Sequence, residues 1–166
     1  MRSMFNECYK LKYLNISSFD THNVTNMEVM FQHCENLIDL DLSKFNTNKV
    51  TDMSGMFGVC KNLKHLNVSS FDTQNVTDMK VMFAGCENLK NLNLSSFNTK
   101  NVTDMSAMFQ GCNNLNNLDL SSFDTNNVTK ITGIFHGCDE IIIYNNRTKF
   151  EKFNHNDLVK EYTGNN

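Results

Sequence analysis

The apolar residues of this chain fall in columns. Leu11, Leu37, Leu63, Leu89, Leu115 and Ile141 form one; Leu14, Leu40, Leu66, Leu92 and Leu118 form the next; Ile16, Leu42, Val68, Leu94 and Leu120 follow two positions later. Further columns hold Phe19 to Phe123, Val24 to Val128 and Phe31 to Phe135. Every column recurs at 26 residues. A fixed period in the range of about 20 to 50 residues marks a repeat architecture. Cys8, Cys34, Cys60, Cys86, Cys112 and Cys138 set the phase, and each row is numbered here from its cysteine as column 1. Five complete rows result, with a partial row before Cys8 and a degenerate one after Cys138.

Each row carries its own element signals. Leu-x-x-Leu-x-Leu at columns 4, 7 and 9 predicts a short strand. Alternate strand residues share a face, so columns 7 and 9 point inward and columns 5, 6 and 8 outward. The Ser-x-Phe-(Asp/Asn)-Thr stretch has turn chemistry, because these short polar side chains satisfy nearby backbone groups. Val-Thr-Asp-Met-x-x-Met-Phe places apolar residues at i, i+3, i+6 and i+7, a helical spacing. The threonine of column 18 would be its N-cap, and Gly85, Gly111 and Gly137 its left-handed C-caps.

The expected fold is therefore an α/β repeat solenoid, leucine-rich-repeat-like, with one short parallel strand plus a short helix or 3₁₀ segment per 26-residue coil. A single row cannot bury its apolar side; stacked rows bury a continuous core. Residues 1–138 read as the solenoid. Residues 139–166 read as a degenerate last coil, with a strand over 141–144, and a C-terminal capping helix carrying Phe150, Phe153, Leu158 and Tyr162.

Composition narrows the function classes. With 15 Lys and Arg against 18 Asp and Glu, the chain lacks the basic surplus that phosphate neutralisation requires, so nucleic acid is not an expected partner. No run approaches the roughly 18 apolar residues of a membrane span, and no signal-peptide pattern opens the sequence. The row that begins at Met1 starts at column 20, leaving an uncapped first coil. Such an end fits either a fragment of a longer array or end-to-end self-association.

The chemistry-bearing residues mostly belong to the template. Zinc ligands come in close pairs such as Cys-x2-Cys, which are missing here, and in-register cysteines on stacked coils do not meet with disulfide geometry. The cysteine column is expected to pack as small hydrophobes. The Asp/Asn column Asp20, Asn46, Asp72, Asn98, Asp124 alternates in charge and lacks a glycine-rich loop, so turn capping is preferred to calcium binding. Of eight Asn-x-Ser/Thr sequons, all but Asn146 fall in columns 8 and 16 and follow from template recurrence. The five histidines share no column. No nucleophile–base pair and no phosphate loop is visible, so no catalytic, cofactor-binding or metal-ligating residue is assigned, and the chain is not expected to be an enzyme.

The surface left for recognition is the outward side of the strands. Row by row it reads Lys12, Tyr13, Asn15; Ile38, Asp39, Asp41; Lys64, His65, Asn67; Lys90, Asn91, Asn93; and Asn116, Asn117, Asp119. Solenoids commonly bind partners on such an extended face, and much of the row-to-row variation is concentrated there.

The full template, Cys-x-Asn-Leu-x-x-Leu-x-Leu-Ser-x-Phe-Asp-Thr-x-Asn-Val-Thr-Asp-Met-x-x-Met-Phe-x-Gly, resembles the 26-residue repeat of BspA-like leucine-rich repeat surface proteins of bacteria, the DUF285 group. The resemblance covers roughly residues 1 to 138. It implies a leucine-rich-repeat-like solenoid, a cell-surface or secreted setting, and a non-catalytic, adhesion-type role toward another protein or cell-surface ligand; a structural spacer or self-associating array is the alternative. It carries no catalytic residues. Ordinary leucine-rich repeats hold their corner with an Asn, whereas this chain places Phe19, Phe45, Phe71, Phe97 or Phe123 there. The corner must be built differently, and horseshoe curvature does not follow.

Overall fold

The computed structural model describes residues 1–138 and 142–144. The expected capping helix lies outside the described residues. Four three-residue strands line one side: β1 (Asp39–Asp41), β2 (His65–Asn67), β3 (Asn117–Asp119) and β4 (Ile142–Tyr144). β1 pairs in parallel with β2, placing Asp39 opposite His65, and β3 with β4, placing Asn117 opposite Ile142. Tyr13 bridges to Asp39 and Asn91 to Asn117, so neighbouring coils join each pair. Equal columns pair because a coil is one period long. The β3–β4 pair is 25 residues apart, so the last coil is one residue shorter on this side.

The opposite side differs from the helix expectation. Among the described residues no helix forms there; columns 20 to 26 make two consecutive tight turns. The Met30 N–H donates to the Met27 carbonyl, and the Cys34 N–H to the Phe31 carbonyl, closing one turn after the other. The third residue of each turn has a positive φ: Val29, Gly55, Val81, Ala107 and Gly133 at column 22, and His33, Val59, Gly85, Gly111 and Gly137 at column 26. Positive φ at that position is the mark of a type II turn. The physical reason is where the amide hydrogens go. In a helix they would bond within the coil; here Met53, Gly55, Phe57 and Val59 donate to the carbonyls of Asp78, Lys80, Met82 and Ala84 one coil on. The column 18 threonines are not N-caps. The Thr77 N–H and hydroxyl both donate to the Thr51 carbonyl of the preceding coil.

The corner after the strand is a further turn, closed by the N–H of the column 12 phenylalanine. Phe45 donates to Leu42 and Phe97 to Leu94, each at 2.9 Å. The side chains of Phe71, Phe97 and Phe123 then enter the core and stack at 6.2 and 6.4 Å between ring centroids. A second stack, Phe31, Phe57, Phe83 and Phe109, has centroids 5.5 to 5.8 Å apart and rings within 10° of parallel. The cysteines lie behind it as free thiols. From Cys34 to Cys138 each donates to the column 24 carbonyl 29 residues earlier, as Cys86 Sγ does to Phe57 at 3.2 Å. Burial raises the Cys34 thiol to about 11 and pushes Cys60, Cys86 and Cys112 further in the same direction. Thiols held protonated in this way pack as small hydrophobes and do not act as nucleophiles.

Polar columns close the remaining gaps. The buried threonines of column 14 from Thr21 to Thr99 each meet one residue of the next coil twice. Thr73 Oγ1 donates to the Asn98 carbonyl at 2.9 Å and accepts from the Asn98 N–H at 2.8 Å. Thr47 does the same with Asp72, and Thr99 with Asp124. The Asp and Asn of columns 8, 13 and 19 accept from the N–H two residues on, as in Asp41 to Ser43 and Asp72 to Gln74. The turn-capping reading of these residues therefore holds. Asn75, Asn101 and Asn127 donate their amides to carbonyls of the preceding coil at 2.7 Å, a structural use of three of the sequon residues.

Column 19 holds a pH-dependent weakness. Asn26, Asp52, Asp78, Asp104 and Lys130 bridge in an unbroken row. Asn26 donates to Asp52, and Lys130 lies 4.0 Å from Asp104, which leaves half-buried Asp78 between two carboxylates. Burial, then Asp104 and Asp52, raise its carboxyl above the ordinary value against the Lys80 N–H and ammonium. Folding thus disfavours the charged form, so stability falls as pH rises from about 4 through the folded-state pKa. Asp78→Asn keeps an oxygen for the Lys80 N–H, bonded at 2.8 Å, and removes the charge. It is expected to stabilise at pH 7 by a few tenths to about 1 kcal/mol, the size of a like-charge cross-strand effect. Thermal melts should show that gain vanish near pH 3, where the wild-type carboxyl is already neutral.

Candidate functional site

The strand side presents the candidate face. A three-residue strand with a leucine at its centre turns that leucine inward and both flanking residues out: Leu40 and Leu118 are buried, and Asp39, Asp41, Asn117 and Asp119 are exposed. Tyr13, 69% exposed, and Asn15 stand at the first coil, His65 and Asn67 at the third, Asn91 and Asn93 at the fourth. Column 5 adds exposed Lys12, Lys64, Lys90 and Asn116; Ile38 in the same column is half-buried. The structure gathers Asp39, Asp41, Lys64, His65, Asn67 and Asn91 around one shallow, open depression. Lys12, Tyr13 and Asn15 lie to one side of it and Asn116, Asn117 and Asp119 to the other, following the coil order.

The electrostatics divide this face by coil. Coil 2 is acidic through Asp39 and Asp41. The Ser43 N–H and hydroxyl, and the Asn67 amide, hold the Asp41 carboxyl below the usual carboxylate range. The Ser121 N–H does the same for Asp119. Coil 3 is basic through Lys64, and His65 Nε2 lies 3.9 Å from Asp39 Oδ1. Lys90 repeats the charge of Lys64 one coil further on. Such a surface offers charge pairs and amides to a partner. The thiols from Cys34 to Cys138 are buried away from it, and His22, which contacts Asp20, sits beside the Asn23 amide at an exposed turn. Among the described residues no group of His, Cys, Asp and Glu is arranged to hold a metal ion.

Two residues of the depression, Leu40 and Leu66, were missed by the reading of outward columns. Leu66 is half-buried, as is Leu14 of the first coil, where Leu40, Leu92 and Leu118 are buried. Their own column gives no signal of it.

With the template seen to form the coils themselves, the comparison with known families has a structural meaning. The model of the family described as Mycoplasma protein of unknown function, DUF285, matches residues 1–66 and again 58–162. The chain belongs to this family. Among solved structures, the DUF285 chain is similar to a leucine-rich cell surface protein from Faecalibacterium prausnitzii A2-165, with 21% identity, a TM-score of 0.54, and coverage of 92% of this chain and 35% of that one. It also matches a T. pallidum leucine-rich repeat protein at 16% identity and a TM-score of 0.41, covering 72% of this chain and 62% of that one. The chain thus spans about a third of the first protein's length. Comparison with curated proteins finds no match. The first of these likenesses establishes a leucine-rich-repeat-like fold for the DUF285 chain. Among its described residues, no helix is long and apolar enough to cross a membrane.

Proposed function

We propose that the chain is the non-catalytic protein-interaction solenoid of a bacterial surface protein, of adhesion type, and that it binds through the strand face from Tyr13 to Asp119. The observation that carries this reading is the contrast between scaffold and face. Columns that pair or pack repeat from coil to coil, while columns 5 and 6 change from Lys12 and Tyr13 to Ile38 and Asp39 to Asn116 and Asn117. Side chains free to vary on a rigid, extended surface are what a recognition site needs. The likeness to a cell surface protein of Faecalibacterium supports the setting.

A spacer without a ligand is the second reading, favoured by the pairing of nearly every polar column with its own neighbours. The two are separated by coating microspheres with the protein and measuring their retention on fixed epithelial cells under flow. A triple variant Tyr13→Ala, Lys64→Ala, Lys90→Ala, all at exposed positions, is expected to melt no lower than wild type and to lose at least about tenfold of the retention, the loss that some 1.4 kcal/mol of binding energy represents. Wild-type microspheres retained no better than albumin-coated ones would sink the adhesion reading and leave the spacer.

A further inference from the structure

Coils 2 and 3 set a polar frame around an apolar floor. Asp39 pairs with His65 and Asp41 with Asn67, and Leu40 lies against Leu66 between them. Alternate residues along a strand stand about 7 Å apart, and neighbouring strands about 5 Å. The four polar residues therefore mark the corners of a rectangle of about 5 by 7 Å, the span of one six-membered ring with its substituents. The two leucines line the same depression from its middle, and Lys64 and Asn91 stand at its edge. Its volume, about 280 Å³, falls just under the smallest pockets that take a drug-sized ligand.

The frame keeps much of its bonding capacity free. Asp41 is held in place by Ser43 and by the Asn67 amide, and its carboxylate has lone pairs left. Asp39 has His65 Nε2 at 3.9 Å, too far for a hydrogen bond. Among the described residues, the side chains of Lys64 and Asn91 make no hydrogen bond or ion pair. Tyr13, which bridges to Asp39 from the first coil, is 69% exposed and stacks on no other ring among them. A tyrosine so placed offers an apolar ring face and a polar hydroxyl.

This set selects its ligand by chemistry. Hydroxyls can donate to Asp39 and Asp41 and accept from Lys64 and Asn91. A purely anionic group has no donor for the two carboxylates, and a purely cationic one no acceptor for the Lys64 ammonium. Groups covered without a partner lose affinity, so an uncharged polyol satisfies the rim best. The leucine floor asks for an apolar face on the same molecule. A pyranose ring has both, with C–H bonds on its face and hydroxyls around its edge.

We propose that the depression on coils 2 and 3 binds one uncharged pyranose unit of a cell-surface glycan. The ring lies on Leu40 and Leu66, its hydroxyls bond to Asp39, Asp41, Lys64 and Asn91, and Tyr13 beside them is the platform for the next unit. The proposal rests on the reading of the strand face as the binding surface and names what that face takes.

Titration of the full isotope-labelled chain with the methyl glycosides of glucose, galactose, mannose and N-acetylglucosamine, followed by amide NMR shifts, tests it. At least one should bind with a Kd of about 1 mM, weak because a shallow site leaves much of its ligand in water. The amides of Asp39, Asp41, His65, Asn67 and Asn91 should move, while those of Phe57 and Phe83 on the turn side stay in place. Asp39→Ala should weaken binding at least about tenfold, the loss of a hydrogen bond to a charged group. Lys100→Ala, at an exposed corner off the strand face, should leave it unchanged. No shift with any of the four glycosides would overturn the proposal, and so would shifts indifferent to Asp39→Ala. Tighter binding of a sulfated glycoside than of its parent would overturn the choice of an uncharged ligand. Coated microspheres that hold to cells although no glycoside binds would sink the sugar site and leave the strand face a binding surface. Glycoside binding without retention on cells would do the reverse.

Discussion

Thr73→Val is expected to destabilise the chain by about 2 to 5 kcal/mol, although valine has nearly the same shape. The Thr73 side chain is fully buried, and its hydroxyl is both acceptor for the Asn98 N–H and donor to the Asn98 carbonyl. Valine leaves both backbone groups desolvated and unpaired, at roughly 1 to 3 kcal/mol each. Thr73→Ser keeps both bonds and loses one methyl, for about 1 kcal/mol. Urea or thermal unfolding should rank the variants wild type, Thr73→Ser, Thr73→Val. A Val variant no weaker than the Ser variant would show that this column packs and does not pair.

The threonine column shows what the sequence made legible. Its recurrence every 26 residues was plain, and so was its turn chemistry. Its partner was not, because the bond runs 25 residues along to column 13 of the next coil, and no local pattern states which backbone groups a corner leaves unsatisfied. The strand followed more directly. Leucine at columns 4, 7 and 9 fixes one inward face, a period equal to one coil fixes parallel in-register pairing, and the outward residues from Lys12 to Asp119 emerge on the surface, all exposed but Ile38.

The turn side was misread for a definite reason. Met79, Met82 and Phe83 have helical spacing, but two successive type II turns also return the chain to the core at similar intervals. The signal that separates the two is glycine at both column 22 and column 26, four residues apart, since a helix has only one left-handed position, at its end. Gly133 and Gly137 show it in coil 5; in coil 3 it is hidden by Val81, which takes a φ of 59°. A β-branched residue with positive φ is strained, on the order of 1 to 3 kcal/mol. It persists because the amide of Val81 is bonded to Ser106 and those around it to the same coil, so the ladder overdetermines the backbone.

Phe83→Ala should have the largest effect of any single core truncation here, and the comparison with Phe5→Ala makes the test informative. Phe83 is fully buried, and its ring stacks on Phe57 at 5.5 Å and Phe109 at 5.7 Å, so its loss removes contacts in both neighbouring coils. Burial and cavity terms for a core phenylalanine amount to about 3 to 5 kcal/mol, and each lost stacking partner adds to them. Phe5 is only half-buried and stacks closely on Phe31 alone, at 5.4 Å, with a looser contact to Phe19 at 6.4 Å. In a stacked array stability is approximately a sum of coil and nearest-neighbour terms. Removing Phe83 weakens two central interfaces at once and should separate the array into blocks that melt apart. Removing Phe5 frays one end. Circular dichroism melts are therefore expected to show a large, broadened loss for Phe83→Ala and a small downward shift with unchanged width for Phe5→Ala. Equal losses would mean that the coils unfold as one unit, with no nearest-neighbour character in the stack.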